Sequence, residues 1–322
     1  MEILPGLLWQ AKWEYIGWSS VYIMVFWIGG LVISSSLLLL LGLFAGFIGT
    51  ILGLGGGFLI IPYLLLVGHF TPQLAVGTSL SIVFLNTLSG SWAYARQRRI
   101  DYATAIRFAL ATVPGSVVGA YMSRWYHGPT FSRFFAIFLL CMAAYLIYRT
   151  ARPEKEKGGA EGGAGEEAGA AREAWGQRED SAPTAKKGWV HRVVTDTSGT
   201  TYVVDYDLRL GIITSFFVGL LASLLGIGGG IIHVPLMIYF LGFPPHLATA
   251  TSHLILAISS FFAAGTHVFI GNVAFKTTLL VGIGAVAGAQ LGAKAAKKVT
   301  GPWIIRGLSL AVIFLALRML FS

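Results

Sequence analysis

Gly53-Leu54-Gly55-Gly56-Gly57-Phe58-Leu59-Ile60-Ile61-Pro62 breaks a long apolar run, and Gly226-Ile227-Gly228-Gly229-Gly230-Ile231-Ile232-His233-Val234-Pro235 recurs 173 positions later (226 − 53). Glycine opens the left-handed backbone region and lets other atoms approach closely. Proline fixes φ and removes a donor. Both choices are costly inside a helix, yet both stretches sit in sequence that otherwise reads as helix.

The surroundings decide the class. The chain has 322 residues, 55% hydrophobic and only 11% charged. A soluble domain carries about 25% charged residues. From Val21 to Val67 there is no Asp, Glu, Lys, Arg or His, a run well beyond the ~20 residues that one membrane helix needs. The apolar runs do not alternate with polar residues, which excludes a transmembrane β-barrel. The sequence predicts an all-α polytopic membrane protein, with the lipid bilayer as its first partner.

Working outward, other positions repeat at the same spacing: Leu74-Ala75 with Leu247-Ala248, Thr78-Ser79 with Thr251-Ser252, and Gly119-Ala120 with Gly292-Ala293. The expectation is two homologous helical repeats with glycine-broken helices. If the broken element crosses twice, each repeat makes five crossings, and the odd count inverts one repeat relative to the other. The basic residues agree with inversion under the positive-inside rule. Arg96, Arg98 and Arg99 follow the third crossing of the first repeat, whereas Lys294, Lys297 and Lys298 follow the fourth of the second. Arg124 and Arg133 blur this contrast. A parallel arrangement remains the alternative.

The expected organisation has four parts. Residues 1–33 form an interfacial segment, with Trp9, Trp13 and Trp18 as anchors, and an extra membrane helix; no signal peptide is expected. Residues 34–149 are the first membrane repeat, and 208–322 the second. Between them, residues 150–207 form a cytoplasmic linker rich in Gly, Ala, Glu and Lys, ending in a small soluble β-hairpin at 189–206. Asp196-Thr197-Ser198-Gly199 is its turn signal.

Charge is divided unevenly. Of 14 acidic residues, 11 lie between Glu154 and Asp207, and Asp101 alone falls in either membrane repeat. A membrane core nearly free of carboxylates is compatible with an anionic substrate. Basic residues at the ends of apolar runs fit positive-inside topology rather than nucleic acid, and no nucleic-acid partner is expected. The one cysteine, Cys141, excludes an internal disulfide.

The candidate substrate-binding set follows from these features. A broken helix turns unpaired N–H groups and a positive helix end toward whatever occupies a cavity. This nominates Gly55, Gly56, Gly57, Pro62, Gly228, Gly229, Gly230 and Pro235; close helix packing through small residues is the competing reading. The polar side chains Thr78, Ser79, Asn86, Thr251, Ser252 and His253 join them as groups able to replace water around an oxyanion. Bonding of Ser and Thr to their own helix carbonyls competes for the hydroxyls. His246, His253, Ser260 and His267, spaced by sevens, share a helix face. No metal site and no cofactor are expected, and no nucleophile with a base partner points to an enzyme.

These motifs resemble the TauE/SafE family, the sulfite exporter permeases. The signature resembles G-x-G-G-G-x4-P followed by P-x-x-A-x-G-T-S. Gly53, Gly55, Gly56, Gly57, Pro62, Pro72, Ala75, Gly77, Thr78 and Ser79 carry it first; Gly226, Gly228, Gly229, Gly230, Pro235, Pro245, Ala248, Thr251 and Ser252 carry it again, with Ala250 where the pattern has glycine. The resemblance covers about 37–148 and 208–321. It implies a multi-pass transporter in a prokaryotic plasma membrane, moving a small sulfur-containing anion such as sulfite, a sulfonate or sulfoacetate. Coupling to a proton or sodium ion and assembly as a homodimer are further expectations. A channel-like anion pore, or a scaffold that binds a soluble partner through the hairpin, are the competing functions.

Overall fold

The computed structural model describes residues 35–125, 128–151, 188–197, 199 and 201–296, with 313, 316–318 and 320. The expected N-terminal segment 1–33, most of the linker, Lys297, Lys298 and most of the last apolar stretch lie outside the described residues. Helix α1 is Ser35–Leu52. Then come α2 Gly57–Leu66, α3 Pro72–Arg96, α4 Tyr102–Met122 and α5 Gly128–Ala151. Strands β1 Trp189–Thr195 and β2 Thr201–Asp207 lead into α6 Leu208–Leu225, α7 Gly230–Tyr239, α8 Pro245–Ile270 and α9 Phe275–Ala295. Six of these helices are long and apolar enough to cross a bilayer by length and composition: α1, α3, α4, α6, α8 and α9.

The glycine stretches end one helix and start the next. After α1, Gly53 turns left-handed (φ 77°), as Gly226 does after α6 (φ 73°). Gly56 (φ 82°) and Gly229 (φ 88°) then cap α2 and α7. Each of these short helices has 10 residues, about 15 Å long, or half of a ~30 Å hydrocarbon core. They are half-helices rather than full spans. Pro62 and Pro235 sit inside them, where each removes one intrahelical bond, to the carbonyl four residues back.

At the centre, α3 packs against α8 and α9, and α4 packs against α6 and α8. Helices α3 and α8 run antiparallel. Near one end Gly77 abuts His267, in the middle Phe84 meets Phe261, and toward the other end Gly90 abuts His253. Glycines make the outer contacts tight: Gly284, Gly288 and Gly292 of α9 leave no room for a Cβ against the carbonyls of Leu39, Leu43 and Phe47 in α1. Gly115 and Gly119 of α4 do the same against Phe216 and Leu220 of α6. Without a hydrophobic drive between helices in lipid, such small-residue seams let backbones approach and gain dispersion contact.

The hairpin forms where the sequence places it, with Val190 opposite Tyr206, Arg192 opposite Val204 and Val194 opposite Tyr202. It does not stand apart from the helices. Alternation along the strands directs Val190, Arg192, Val194, Tyr202, Val204 and Tyr206 to one face, and that face lies against the helices. Tyr206 and Val204 are buried in a cluster with Ile100, Phe108, Leu241 and Phe243.

Candidate functional site

The two glycine loops meet in the middle of the bundle. A Cβ on Gly57 would lie 2.9 Å from the Gly226 carbonyl oxygen, and one on Gly230 would lie 2.6 Å from the Leu54 Cα. Gly55 and Gly228 both face Val83 of α3. Gly55, Gly56, Gly57, Gly228, Gly229 and Gly230 are all buried, as is Pro62, while Pro235 is half-buried. The first turns of α2 and α7 therefore bring N–H groups that lack an intrahelical acceptor, and about half a positive charge each, into the protein interior.

Most of the nominated hydroxyls hold the bundle together. Thr78 Oγ1 accepts from the Ala274 N–H at 3.0 Å, tying the start of α3 to the loop between α8 and α9. Thr251 Oγ1 accepts from the Asp101 N–H at 3.2 Å, tying the start of α8 to the loop between α3 and α4. Ser79 donates to the Gly226 carbonyl at 2.8 Å and so braces the opposite glycine loop. Ser81, Thr87, Ser259 and Ser260 bond to carbonyls of their own helices, as the competing reading of such residues expects.

Three nominated side chains keep buried polar atoms without a partner among the described residues: Asn86 Nδ2, Ser252 Oγ and His253 Nε2. Asn86 Oδ1 accepts from Thr50 Oγ1 at 3.4 Å. His253 Nδ1 lies 3.3 Å from the Thr249 carbonyl, so that nitrogen carries the proton and Nε2 presents a lone pair. Nε2 faces Gly90, where a Cβ would lie 3.0 Å away. The Tyr94 ring meets His253 edge-on with centroids 5.4 Å apart, and its hydroxyl donates to the Thr50 carbonyl at 2.8 Å. Thr50, Asn86, Gly90, Tyr94 and His253 thus converge beside the first glycine loop. Sequence reasoning did not nominate Thr50, Gly90 or Tyr94. Tyr94 carried a signal, because it occupies the position 173 before His267.

The other histidines divide. His233 Nε2 pairs with Ser215 Oγ at 3.2 Å, and its ring packs edge-on against Phe108, which makes it a core residue. His253, Ser260 and His267 are all buried on α8, so the face predicted by the seven-residue spacing turns inward. Among the described residues, no three His, Cys, Asp or Glu side chains cluster to hold a metal.

Asp101, the lone carboxylate of the membrane repeats, caps α4 by accepting from the Thr104 N–H at 3.3 Å. Its carboxylate is bound by the Arg192 guanidinium, with Nη2 to Oδ1 at 2.9 Å. Burial alone would raise the Asp101 carboxyl, but hydrogen bonds from Arg192 and Thr104 outweigh it and hold it below the usual carboxylate range.

Comparison with known proteins fits a membrane protein built around this core. The probable membrane transporter protein YunE of Bacillus subtilis is 31% identical over 294 residues, spanning 89% of this chain and 97% of the relative. The probable membrane transporter protein MJ0441 of Methanocaldococcus jannaschii is 23% identical over 279 residues, spanning 82% of this chain and 87% of the relative. The probable membrane transporter protein ORF9 of a Sinorhizobium is 26% identical over 277 residues. No solved structure matches the chain significantly. The model of the sulfite exporter TauE/SafE family matches residues 38–319, and the chain belongs to that family of multi-pass cell-membrane transporters.

Proposed function

We propose that this membrane transporter moves a small sulfur-containing anion, of sulfite, sulfonate or sulfoacetate type, by alternating access between two inverted repeats. The observation that carries the reading is the meeting of two glycine-capped half-helices at the bundle centre. Two positive helix ends face inward, and no described membrane helix brings a carboxylate there. An oxyanion suits that field.

Reciprocal contacts support the repeat. Gly57 abuts Gly226 and Ile227, while Gly230 abuts Gly53 and Leu54. Thr78 accepts from Ala274, while Thr251 accepts from Asp101. Each contact turns into the other when one partner moves forward by 173 and the other back by 173. The antiparallel packing of α3 on α8, which are corresponding helices of the two copies, supports inversion rather than parallel repeats.

Within the nominated set, Asn86 Nδ2 and Ser252 Oγ are the donors left to meet an anion, and His253 keeps an unpaired Nε2. Thr78, Ser79 and Thr251 position the loops instead. The same proposal includes coupling to a proton or sodium ion and assembly as a homodimer. Purified protein in liposomes tests it. Labelled sulfite or a sulfonate is expected to enter down its gradient and to show counterflow, and an imposed proton or sodium gradient is expected to drive accumulation. No anion movement removes the substrate class, and currents far above carrier turnover without counterflow would make the protein a pore.

A further inference from the structure

We propose that the β1–β2 hairpin is a latch, which closes the Asp101 end of the bundle when docked and lifts during the transport cycle. The inference rests on the alternating-access reading above.

Four observations on the hairpin converge. First, its inward face crosses the seam between the two halves. The Tyr206 ring wedges between Phe108 of α4, 5.7 Å away, and Phe243 of the loop between α7 and α8, 5.3 Å away. Second, polar contacts fix it to the first half. The Tyr206 hydroxyl lies 2.8 Å from Thr104 Oγ1, and the Thr197 N–H donates to the Gln97 carbonyl at 3.2 Å. Third, two ion pairs join the hairpin to the loop between α3 and α4: Arg192 with Asp101 at 2.9 Å, and Arg99 with Asp196 at 3.4 Å. The Asp101 side chain is 1% exposed and that of Arg192 33%. A buried carboxylate is costly without a countercharge, and this one takes its countercharge from a segment outside the membrane helices. Fourth, the feature is one-sided. At the other end, Ala274 holds the place of Asp101.

The consequence is mechanical. Asp101 also ties to α8 through its N–H bond to Thr251. Any motion that parts α3 from α8 at this end pulls on the ring of contacts around Arg192 and Tyr206. The hairpin must leave before that end opens. Once it leaves, Asp101 is bare and Arg99 is free at the mouth. Docking therefore both covers the end and neutralises its one carboxylate.

Two measurements test this. In a Cys141→Ser background, the pair Gln97→Cys and Thr197→Cys is oxidised to staple the hairpin down, and uptake of labelled sulfite or a sulfonate into liposomes is compared before and after reduction. The stapled protein is expected to lose at least about tenfold in rate and recover on reduction, since tenfold corresponds to a modest change in barrier. Full uptake by the stapled protein overturns the latch. The second measurement needs no transport: amide hydrogen exchange at 188–207 in Arg192→Gln against the unaltered chain. Exchange in the hairpin is expected to quicken about tenfold or more while α3 and α8 stay unchanged, and equal exchange overturns the latch. If neither protein moves any anion, the transport reading fails, and the exchange result alone decides whether the hairpin is latched.

Discussion

The two ends of the bundle share the bond that ties each loop to the other half and differ in the charged groups placed around it. At one end the Asp101 N–H donates to Thr251, and at the other the Ala274 N–H donates to Thr78. The strut is the same: a threonine at the start of a long helix holds the loop that leads into α4 or α9. The first end adds a carboxylate, a guanidinium and a two-stranded cover. The second has alanine there, with His267 buried nearby and neither ring nitrogen partnered among the described residues. The bond that sets helix geometry recurs, while the groups that meet ions or gates do not. On the proposed alternating-access reading, the matched struts are the scaffolding and the hairpin is the closure of one end.

The largest effect is expected where the glycine loops touch. Gly230→Ala drives a methyl into the backbone of Gly53 and Leu54, where nothing flexible can yield. Overpacking of this kind costs about 3 kcal/mol at the upper end, and the folded yield and thermal midpoint in detergent should both drop sharply. The capping glycines allow a finer contrast. Gly56→Ala and Gly229→Ala each suffer left-handed strain of about 1–2 kcal/mol. A Cβ at Gly56 would also sit 2.7 Å from the Ala45 carbonyl oxygen, whereas at Gly229 the nearest atom is the Ala222 Cβ at 3.0 Å. Gly56→Ala is therefore expected to lower the midpoint further than Gly229→Ala. The reverse order would show that the two loops are not packed as described.

Next come the ion pair and its empty counterpart. Asp101→Asn removes charge-assisted hydrogen bonds worth about 1.5–3 kcal/mol, partly offset by the exposure of Arg192. Its mirror, Ala274→Asp, gains the N-cap of α9 but has no described guanidinium to meet its charge, so its effect should not exceed an ordinary cap, about 1 kcal/mol. A gain as large as the loss in Asp101→Asn would break the contrast between the ends. The struts are expected to matter less. Thr251→Val and Thr78→Val each leave a backbone N–H without its acceptor, a cost of about 1–2 kcal/mol. The loss should be larger for Thr251, because its partner Asp101 is buried while Ala274 is half-buried.

The smallest effect is the pH response of the latch. Arg192 and Tyr206 face the Asp101 carboxylate, while Arg99 pairs with Asp196. The folded carboxyl titrates below its ordinary value, so its stabilisation is complete above about pH 4 and is lost as pH falls through the lowered value. Thermal midpoints from pH 7 to 3 should show the advantage of the unaltered chain over Asp101→Asn shrinking only at the acid end. A difference that is flat with pH would detach Asp101 from the latch.

Much of the architecture was legible in the sequence because glycine and proline act locally. Gly53–Pro62 and Gly226–Pro235 break helices, and the β-formers Val190, Val193, Val194, Tyr202, Val203 and Val204 on either side of a turn signal make strands. The roles of polar residues were less legible, because they depend on partners more than 140 positions away. Thr78, Ser79 and Thr251 read as ligands, yet each is occupied by a backbone group of the other half. The docking of the hairpin was not legible, because the surface it meets lies in another part of the chain. One clue was present: Arg192 is the only charge on the inward strand face, and Asp101 is the only acid in the membrane repeats to meet it.

The most direct test of the central claim is counterflow in liposomes. Preloaded unlabelled sulfite or sulfonate should drive transient accumulation of the labelled anion above its external level, with the effect abolished in Gly56→Ala protein that remains folded. Labelled anion that only equilibrates, with no overshoot and no dependence on the preloaded anion, would contradict alternating access between the two glycine loops.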